Sequence, residues 1–242
     1  MVGALARFRA EHHMNRQRTV DSILQIGIVP VIRVSSPEQA MLAVEAVGLG
    51  GIPAAEITMT VPGAIDLIRK LVDKLGSKVL VGAGTVLDVT TAQACIDAGA
   101  AFLVSPGLDI ATIELAAAND TVMIAGALTP TEVITCAKAG ADFVKIFPCG
   151  LVGGPRYIKA LRGPLPNIRM IPTGGVNLDT AADFIVAGAA ALGIGSELVS
   201  VGALGAGNPE AITEVARNYV EIVGNARARM HKPKTNVVAM LS

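Results

Sequence analysis

Aromatic residues are scarce in this chain. Phe, Trp and Tyr make up 3% of its 242 residues, and tryptophan is absent. The 52% that is hydrophobic therefore rests on Ala, Val, Ile and Leu, which suits short parallel strands covered by helices. Histidine is missing from the whole central sequence: His12, His13 and His231 lie in the terminal arms. That excludes histidine-ligated zinc and a histidine acid–base residue from the core. The three cysteines, Cys95, Cys136 and Cys149, are odd in number and spaced for neither a zinc site nor a disulfide framework; Cys95 and Cys136 read as small core fillers. Mean hydropathy is high at +0.56. Even so, no uncharged apolar run reaches the ~18 residues of a membrane helix, and the start, MVGALARFRAEHH, has no signal-peptide apolar region. A soluble, cytoplasmic protein with no membrane partner is expected. One-sided charge is also missing: 20 basic residues balance 20 acidic ones. Without a basic stripe, a nucleic-acid partner is not expected. Arg7, Arg9, Arg16 and Arg18 at one end, and Arg227, Arg229, Lys232 and Lys234 at the other, are expected to be solvated tails.

What is present is a repeat. From residue 28 onward, short β-rich runs alternate with amphipathic stretches eight times: IVPVI (28–32), AAEIT (54–58), KVLVGAG (78–84), AFLVS (101–105), TVMIAG (121–126), DFVKIFP (142–148), IRMIPTGG (168–175) and AALGIG (190–195). Helices are expected at 37–49, 62–75, 88–98, 130–139 and 178–187, most with a proline or polar cap at the start and a glycine just past the end. Eight strand–helix units favour a closed parallel (β/α)8 barrel, an α/β fold of the TIM type, over a doubly wound sheet. The first strand is followed by RVSS rather than a G-x-G-x-x-G turn, which argues against a dinucleotide site. Residues 1–19 read as an arm or helix with Met14 as an alternative start, 20–224 as the barrel, closed by a helix over 209–223, and 225–242 as a tail.

Barrel enzymes place their chemistry at the C-terminal ends of the strands. The polar residues there are few: Arg33, Glu56, Thr58, Thr85, Ser105, Lys145, Thr173, Gly174, Gly175 and Ser196. Strand side chains alternate between faces. If Val144 and Ile146 face the helices, then Phe143, Lys145 and Phe147 face inward. The other seven lysines fall on helices, turns or the tail. An amine in apolar surroundings sheds its charge more readily, and a neutral amine is the nucleophile for a Schiff base with a ketone. Glu56 interrupts an apolar strand in the same way, on one face with Ala54 and Thr58. A carboxyl buried there should have a raised pKa, suited to moving protons near neutrality. Equally, Lys145 and Glu56 could be a structural ion pair; the two readings are compatible. The turns PTGG (172–175) and GIGS (193–196) end strands seven and eight, where barrels often hold phosphate on backbone N–H groups. Gly174, Gly175, Gly195 and Ser196 are the candidate donors. Clustered acids for a magnesium site are lacking, so no metal and no cofactor are expected.

Six motifs in order, E-I-T (56–58), G-A-G-T-V (82–86), S-P-G (105–107), V-K-I-F-P (144–148), P-T-G-G-V (172–176) and G-S (195–196), resemble the bacterial 2-dehydro-3-deoxy-phosphogluconate / 4-hydroxy-2-oxoglutarate aldolases over about residues 20–200. The resemblance implies a class I aldolase that splits a 2-keto-3-deoxy acid into pyruvate and an aldehyde, usually as a homotrimer. It implies Lys145 as the Schiff-base lysine and Glu56 as the proton carrier. Thr85 and Thr173 would hold the pyruvate carboxylate and nearby hydroxyls, Pro106 would shape the pocket, and Gly174, Gly175 and Ser196 would bind a distal phosphate. Two positions depart from the pattern. Thr60 stands where many members have an arginine for an anionic group, and Arg33 could supply that charge instead. Cys149-Gly150 replaces a small residue and an acid, with Cys149 read as an alanine substitute rather than a nucleophile. Two other classes stay open: a phosphate-binding barrel isomerase or epimerase, and a non-catalytic sugar-acid binding barrel in which Lys145 serves only as an ion-pair partner.

Overall fold

The computed structural model describes residues 16–231. Its elements run α1 (Arg16–Ile26), β1 (Ile28–Ile32), α2 (Pro37–Leu49), β2 (Ala54–Thr58), α3 (Ala64–Leu75), β3 (Leu80–Gly84), α4 (Val89–Asp97), β4 (Phe102–Val104), α5 (Ile110–Ala118), β5 (Val122–Ala127), α6 (Pro130–Ala139), β6 (Phe143–Ile146), α7 (Pro155–Arg162), β7 (Met170–Pro172), α8 (Ala181–Val186), β8 (Leu192–Ile194), α9 (Val201–Gly205) and α10 (Glu210–His231). All eight strands are parallel and pair in chain order, with β1 returning to β8. A single parallel bridge, Thr173 to Gly193, joins β7 to β8 across the remaining seam. The (β/α)8 barrel expected from the repeat is the fold.

The helices begin where short polar side chains can satisfy their first N–H groups. Ser36 caps α2 ahead of Pro37, Asp88 caps α4, and Thr129 with Glu132 forms a capping box at α6. Helices α5 and α7 carry weaker punctuation and were not anticipated. Helix α5 is mostly apolar, with Glu114 exposed, and starts on Asp109, whose carboxylate accepts from Thr112 N. Helix α7 begins with Pro155 after a run of glycines.

Alternation along the strands separates two apolar layers. Phe143 joins Val29, Ala54, Leu80, Phe102, Val122, Ile124 and Ile171 inside the barrel, whereas Val144 and Ile146 pack outward in the cluster beneath the helices. Val20 and Ile23 of α1 belong to the inner cluster, so this helix plugs the N-terminal end of the barrel.

Two basic residues expected to be solvated do structural work at that end. Arg16 Nε donates to Asp142 at 2.9 Å, and another of its guanidinium nitrogens donates to the Gly140 carbonyl at 2.8 Å. Arg227 donates to the carbonyls of Leu24 and Gln25, each at 2.8 Å, tying α10 to the last turn of α1. A guanidinium is suited to this because its planar fork reaches several acceptors at once. Helix α10 also runs through His231, so the tail expected from residue 225 starts as helix. The helix expected over 209–223 does close the ring, lying against α2 and α8. Arg7, Arg9, His12, His13, Met14, Lys232 and Lys234 lie outside the described residues.

Candidate active site

Lys145 and Glu56 stand on strands four places apart in an eight-strand ring, so they face each other across the barrel. Both are almost fully buried, at 6% and 2% exposure. Lys145 Nζ lies 3.9 Å from Glu56 Oε1. That distance supports an electrostatic pair but exceeds a hydrogen bond. Oε1 of Glu56 accepts no hydrogen bond among the described residues. Burial pushes the Glu56 carboxyl above the ordinary carboxylate range, and the positive charges of Lys145 and then Arg33 oppose that rise. Lys145 Nζ also sits 5.3 Å from the ring centre of Phe147, which follows β6.

Above this pair, at the C-terminal mouth, lies a cavity of about 460 Å³. Arg33, Thr85, Pro106, Lys145, Thr173, Gly174, Gly175, Gly195 and Ser196 all line it. Every site residue anticipated from sequence is thus gathered in one place, with Glu56 just beneath, against Lys145. Arg33 makes no hydrogen bond or salt bridge with the described residues, and its charge acts on the Glu56 carboxyl. Thr60, by contrast, does not line the cavity; its hydroxyl hydrogen-bonds with that of Thr58 at 2.7 Å. Among the described residues, no three His, Cys, Asp or Glu side chains gather to hold a metal ion.

The turn after β7 is built from two glycines in the left-handed region, Gly174 at φ 81° and Gly175 at φ 79°. This conformation is routine for glycine and costly for other residues. It is anchored from the β6 side: Cys149 N donates to the Thr173 carbonyl at 2.9 Å, and Gly150 N to the Gly174 carbonyl at 2.8 Å. The N–H groups of Gly175 and Ser196 have no acceptor among the described residues. They are therefore available to oxygen atoms of a ligand. Cys149 is fully buried with its thiol pushed up to about 12 by burial, so it stays a neutral thiol.

Several supporting roles were not legible in sequence. Ser105, noted only as a polar strand end, accepts from Gly126 N at 3.1 Å and donates to the Gly107 carbonyl at 2.7 Å. It thereby clamps the loop bearing Pro106 onto β5, at the residue in register with Lys145. Thr58 donates to the Ile32 carbonyl at 3.0 Å, which holds the end of β1 from which Arg33 projects. Thr85 has φ 58°, a left-handed backbone that is strained for a β-branched residue. Such strain is concentrated at functional sites.

Comparison with known proteins finds relatives both in sequence and in fold. A profile of the KDPG and KHG aldolase family covers residues 20–215. The chain is 34% identical over 208 residues to the KHG/KDPG aldolase of Escherichia coli K12, covering 86% of this chain and 97% of the relative. It is 36% identical over 179 residues to the 2-dehydro-3-deoxy-6-phosphogalactonate aldolase of the same organism, covering 74% and 87% of the two chains. Among solved structures, KDPG aldolase from Legionella pneumophila superposes with a TM-score of 0.76 at 28% identity, covering 82% of this chain and 96% of that one. That crystal structure holds pyruvate as a covalent carbinolamine. Buried amine, buried carboxylate and glycine-turned mouth thus occur in a barrel matched by the family profile over residues 20–215, and this chain belongs to the KDPG and KHG aldolase family of class I, Schiff-base lyases.

Proposed function

We propose that Lys145 is the Schiff-base nucleophile and Glu56 the proton carrier in cleavage of a 2-keto-3-deoxy acid to pyruvate and an aldehyde. The substrates in view are a 2-keto-3-deoxy (phospho)sugar acid, giving glyceraldehyde or its 3-phosphate, and 4-hydroxy-2-oxoglutarate, giving glyoxylate. The observation that carries this reading is the Lys145–Glu56 pair, 3.9 Å apart and buried beneath the mouth cavity.

The neutral amine of Lys145 adds to the C2 ketone, and loss of water leaves a protonated imine. This cation draws electrons from the C3–C4 bond. Glu56, its carboxyl pKa raised by burial, takes the C4 hydroxyl proton, directly or through a water, as that bond breaks. The aldehyde leaves and an enamine of pyruvate remains. Glu56 returns a proton to C3, and hydrolysis frees pyruvate and the lysine. Arg33, Thr85 and Thr173 hold the carboxylate and hydroxyls, and Pro106 shapes the wall beside them. The amides of Gly174, Gly175, Gly195 and Ser196 take the oxygens of the distal end. Orientation by these contacts supplies a large part of the acceleration.

The enzyme would work in the cytoplasm as a homotrimer. Exposed Leu87, Val89, Leu108 and Ile110, which follow the adjacent strands β3 and β4, support association. Native mass spectrometry tests the assembly; a monomer would end that part of the reading.

The test of the chemistry is borohydride reduction with pyruvate and EDTA present, followed by peptide mapping. A pyruvyl adduct on Lys145 is expected. A folded protein that forms no adduct would overturn the mechanism and favour a sugar-acid binding barrel.

A further inference from the structure

The chain has few aromatic rings and hides most of those described. Phe102, Phe143 and Phe184 are fully buried, whereas Phe147 stays 37% exposed. Filling the core therefore does not account for a ring at that position. Phe147 follows β6, two residues on from Lys145, and lines the mouth cavity. Its backbone is fixed to the neighbouring strand, because Phe147 N donates to the Ala127 carbonyl at the end of β5, at 3.1 Å. Its ring lies against the turn after β7: a Cβ at Gly174 would sit 3.6 Å from Cδ2 and from Cε2. Held on both sides, the ring presents its face to Lys145 Nζ, which is 5.3 Å from the ring centre. That is inside the ~6 Å range of a cation–π contact.

The scheme above makes the nitrogen of Lys145 a cation once it has joined the ketone. The charged groups around it are Glu56 beneath, and Arg33 and Glu197 in the cavity lining. Arg33 repels a cation. The Glu56 carboxylate attracts one, but burial raises its pKa and it trades protons during the cycle, so its charge comes and goes. Glu197 is exposed, where salt and water screen it. A phenyl face differs from all three. It carries partial negative charge from the ring quadrupole, and it has no lone pair that could take the imine proton. It can steady the cation without neutralising it.

We propose that Phe147 is a further catalytic residue, whose ring face stabilises the protonated imine on Lys145 and keeps the proton on its nitrogen. This rests on the aldolase reading with Lys145 as nucleophile. Only the protonated imine is a strong sink for the electrons of the C3–C4 bond. The ring therefore extends to higher pH the range over which the bound keto acid is ready to split.

The experiment replaces Phe147 with mono-, di- and trifluorinated phenylalanine, and separately makes Phe147→Leu. Each fluorine draws charge from the ring face and leaves its shape almost unchanged, so the fluorinated proteins should fold as the wild type does; thermal unfolding checks this. Arg33, Glu56 and Glu197 are the same throughout the series. Cyanoborohydride, which reduces a protonated imine far faster than a neutral one, is added with saturating pyruvate over a rising pH series. The pH at which trapping on Lys145 falls by half marks loss of the imine proton. It should move down with each added fluorine, reaching a shift of about 0.4–1.5 pH units for the trifluorinated ring and for Phe147→Leu. A total shift below about 0.4 units across the fluorinated rings, while trapping proceeds, would overturn the proposal and leave the aldolase reading standing, because a ring that only packs does not sense the pull of fluorine. Absence of trapping in the wild type would overturn both.

Discussion

The carboxylate of Glu56 occupies the space that a side chain at Gly84 would fill: a Cβ there would overlap Oε1, Cγ and Cδ of Glu56. Gly84, the last residue of β3, thus makes room for a carboxylate inside a largely apolar barrel. Gly84→Ala should force Glu56 from its position and destabilise the fold by about 1–3 kcal/mol. Cleavage should slow by roughly tenfold or more, the size of effect a small misplacement of a catalytic group produces. Urea denaturation and steady-state kinetics check this; a variant with unchanged stability and kcat would mean that Glu56 has room to spare.

Glu56 also makes stability depend on pH. Its folded-state pKa lies above the ordinary value because of burial, so the fold holds that proton more tightly than the unfolded chain does. The associated stabilisation is fully present below the unfolded value, about 4.3, and is lost as pH rises through the raised folded value. Glu56→Gln should therefore gain stability relative to the wild type as pH rises across that window, in denaturant titrations. Its kcat should fall by about 10²–10⁴ while borohydride trapping of pyruvate persists.

Lys145 lowers the Glu56 pKa by its charge. Lys145→Met should abolish trapping and cut cleavage by at least about 10³, and it should move the Glu56 carboxyl further up. Carbon-detected NMR titration of the glutamate carboxyls reads the second effect; an unmoved Glu56 would show that the two groups do not interact.

The left-handed backbone of Thr85 should be released by Thr85→Gly. A gain of about 1 kcal/mol in unfolding free energy is expected, together with a higher KM for the keto acid from loss of the hydroxyl at the cavity wall. Loss of stability instead would mean that the threonine side chain contributes more through contacts than its backbone costs.

Arg227 joins α10 to the end of α1, far from the mouth. Arg227→Ala should cost about 1–3 kcal/mol by leaving the part-buried Leu24 carbonyl without a donor. Activity per folded molecule should remain unchanged. Thermal unfolding and kcat measured well below the transition check both halves.

The eight-unit repeat, and with it the barrel, could be read from the alternation of aliphatic runs with capped helices. Periodicity is a local property, and each strand here alternates cleanly between an inner and an outer face. Strand β1 and helices α2 and α6 have the bounds that their residues announce, because Pro37, Thr129-Pro130 and Gly140 act on the backbone at once. Helix α5 is less legible, because its mostly apolar sequence has no proline or glycine at either end and only Asp109 marks its start. A buried lysine and a buried glutamate in aliphatic strands were equally visible, since charge in such a place needs a reason.

Other features depended on which residues meet across the ring. That Glu56 and Lys145 end 3.9 Å apart follows from closing eight strands so that β2 and β6 oppose each other. That Gly84 makes room for Glu56, that Ser105 clamps the Pro106 loop, and that Arg16 and Arg227 anchor α1 all involve partners too distant in sequence for any local pattern to link. The sequence by itself determined the units, their order and the chemistry-bearing side chains, because these are set by near neighbours along the chain. Barrel closure decided which of those side chains share one cavity and how Lys145 and Arg33 act on Glu56, because distance in space, not along the chain, sets their electrostatics.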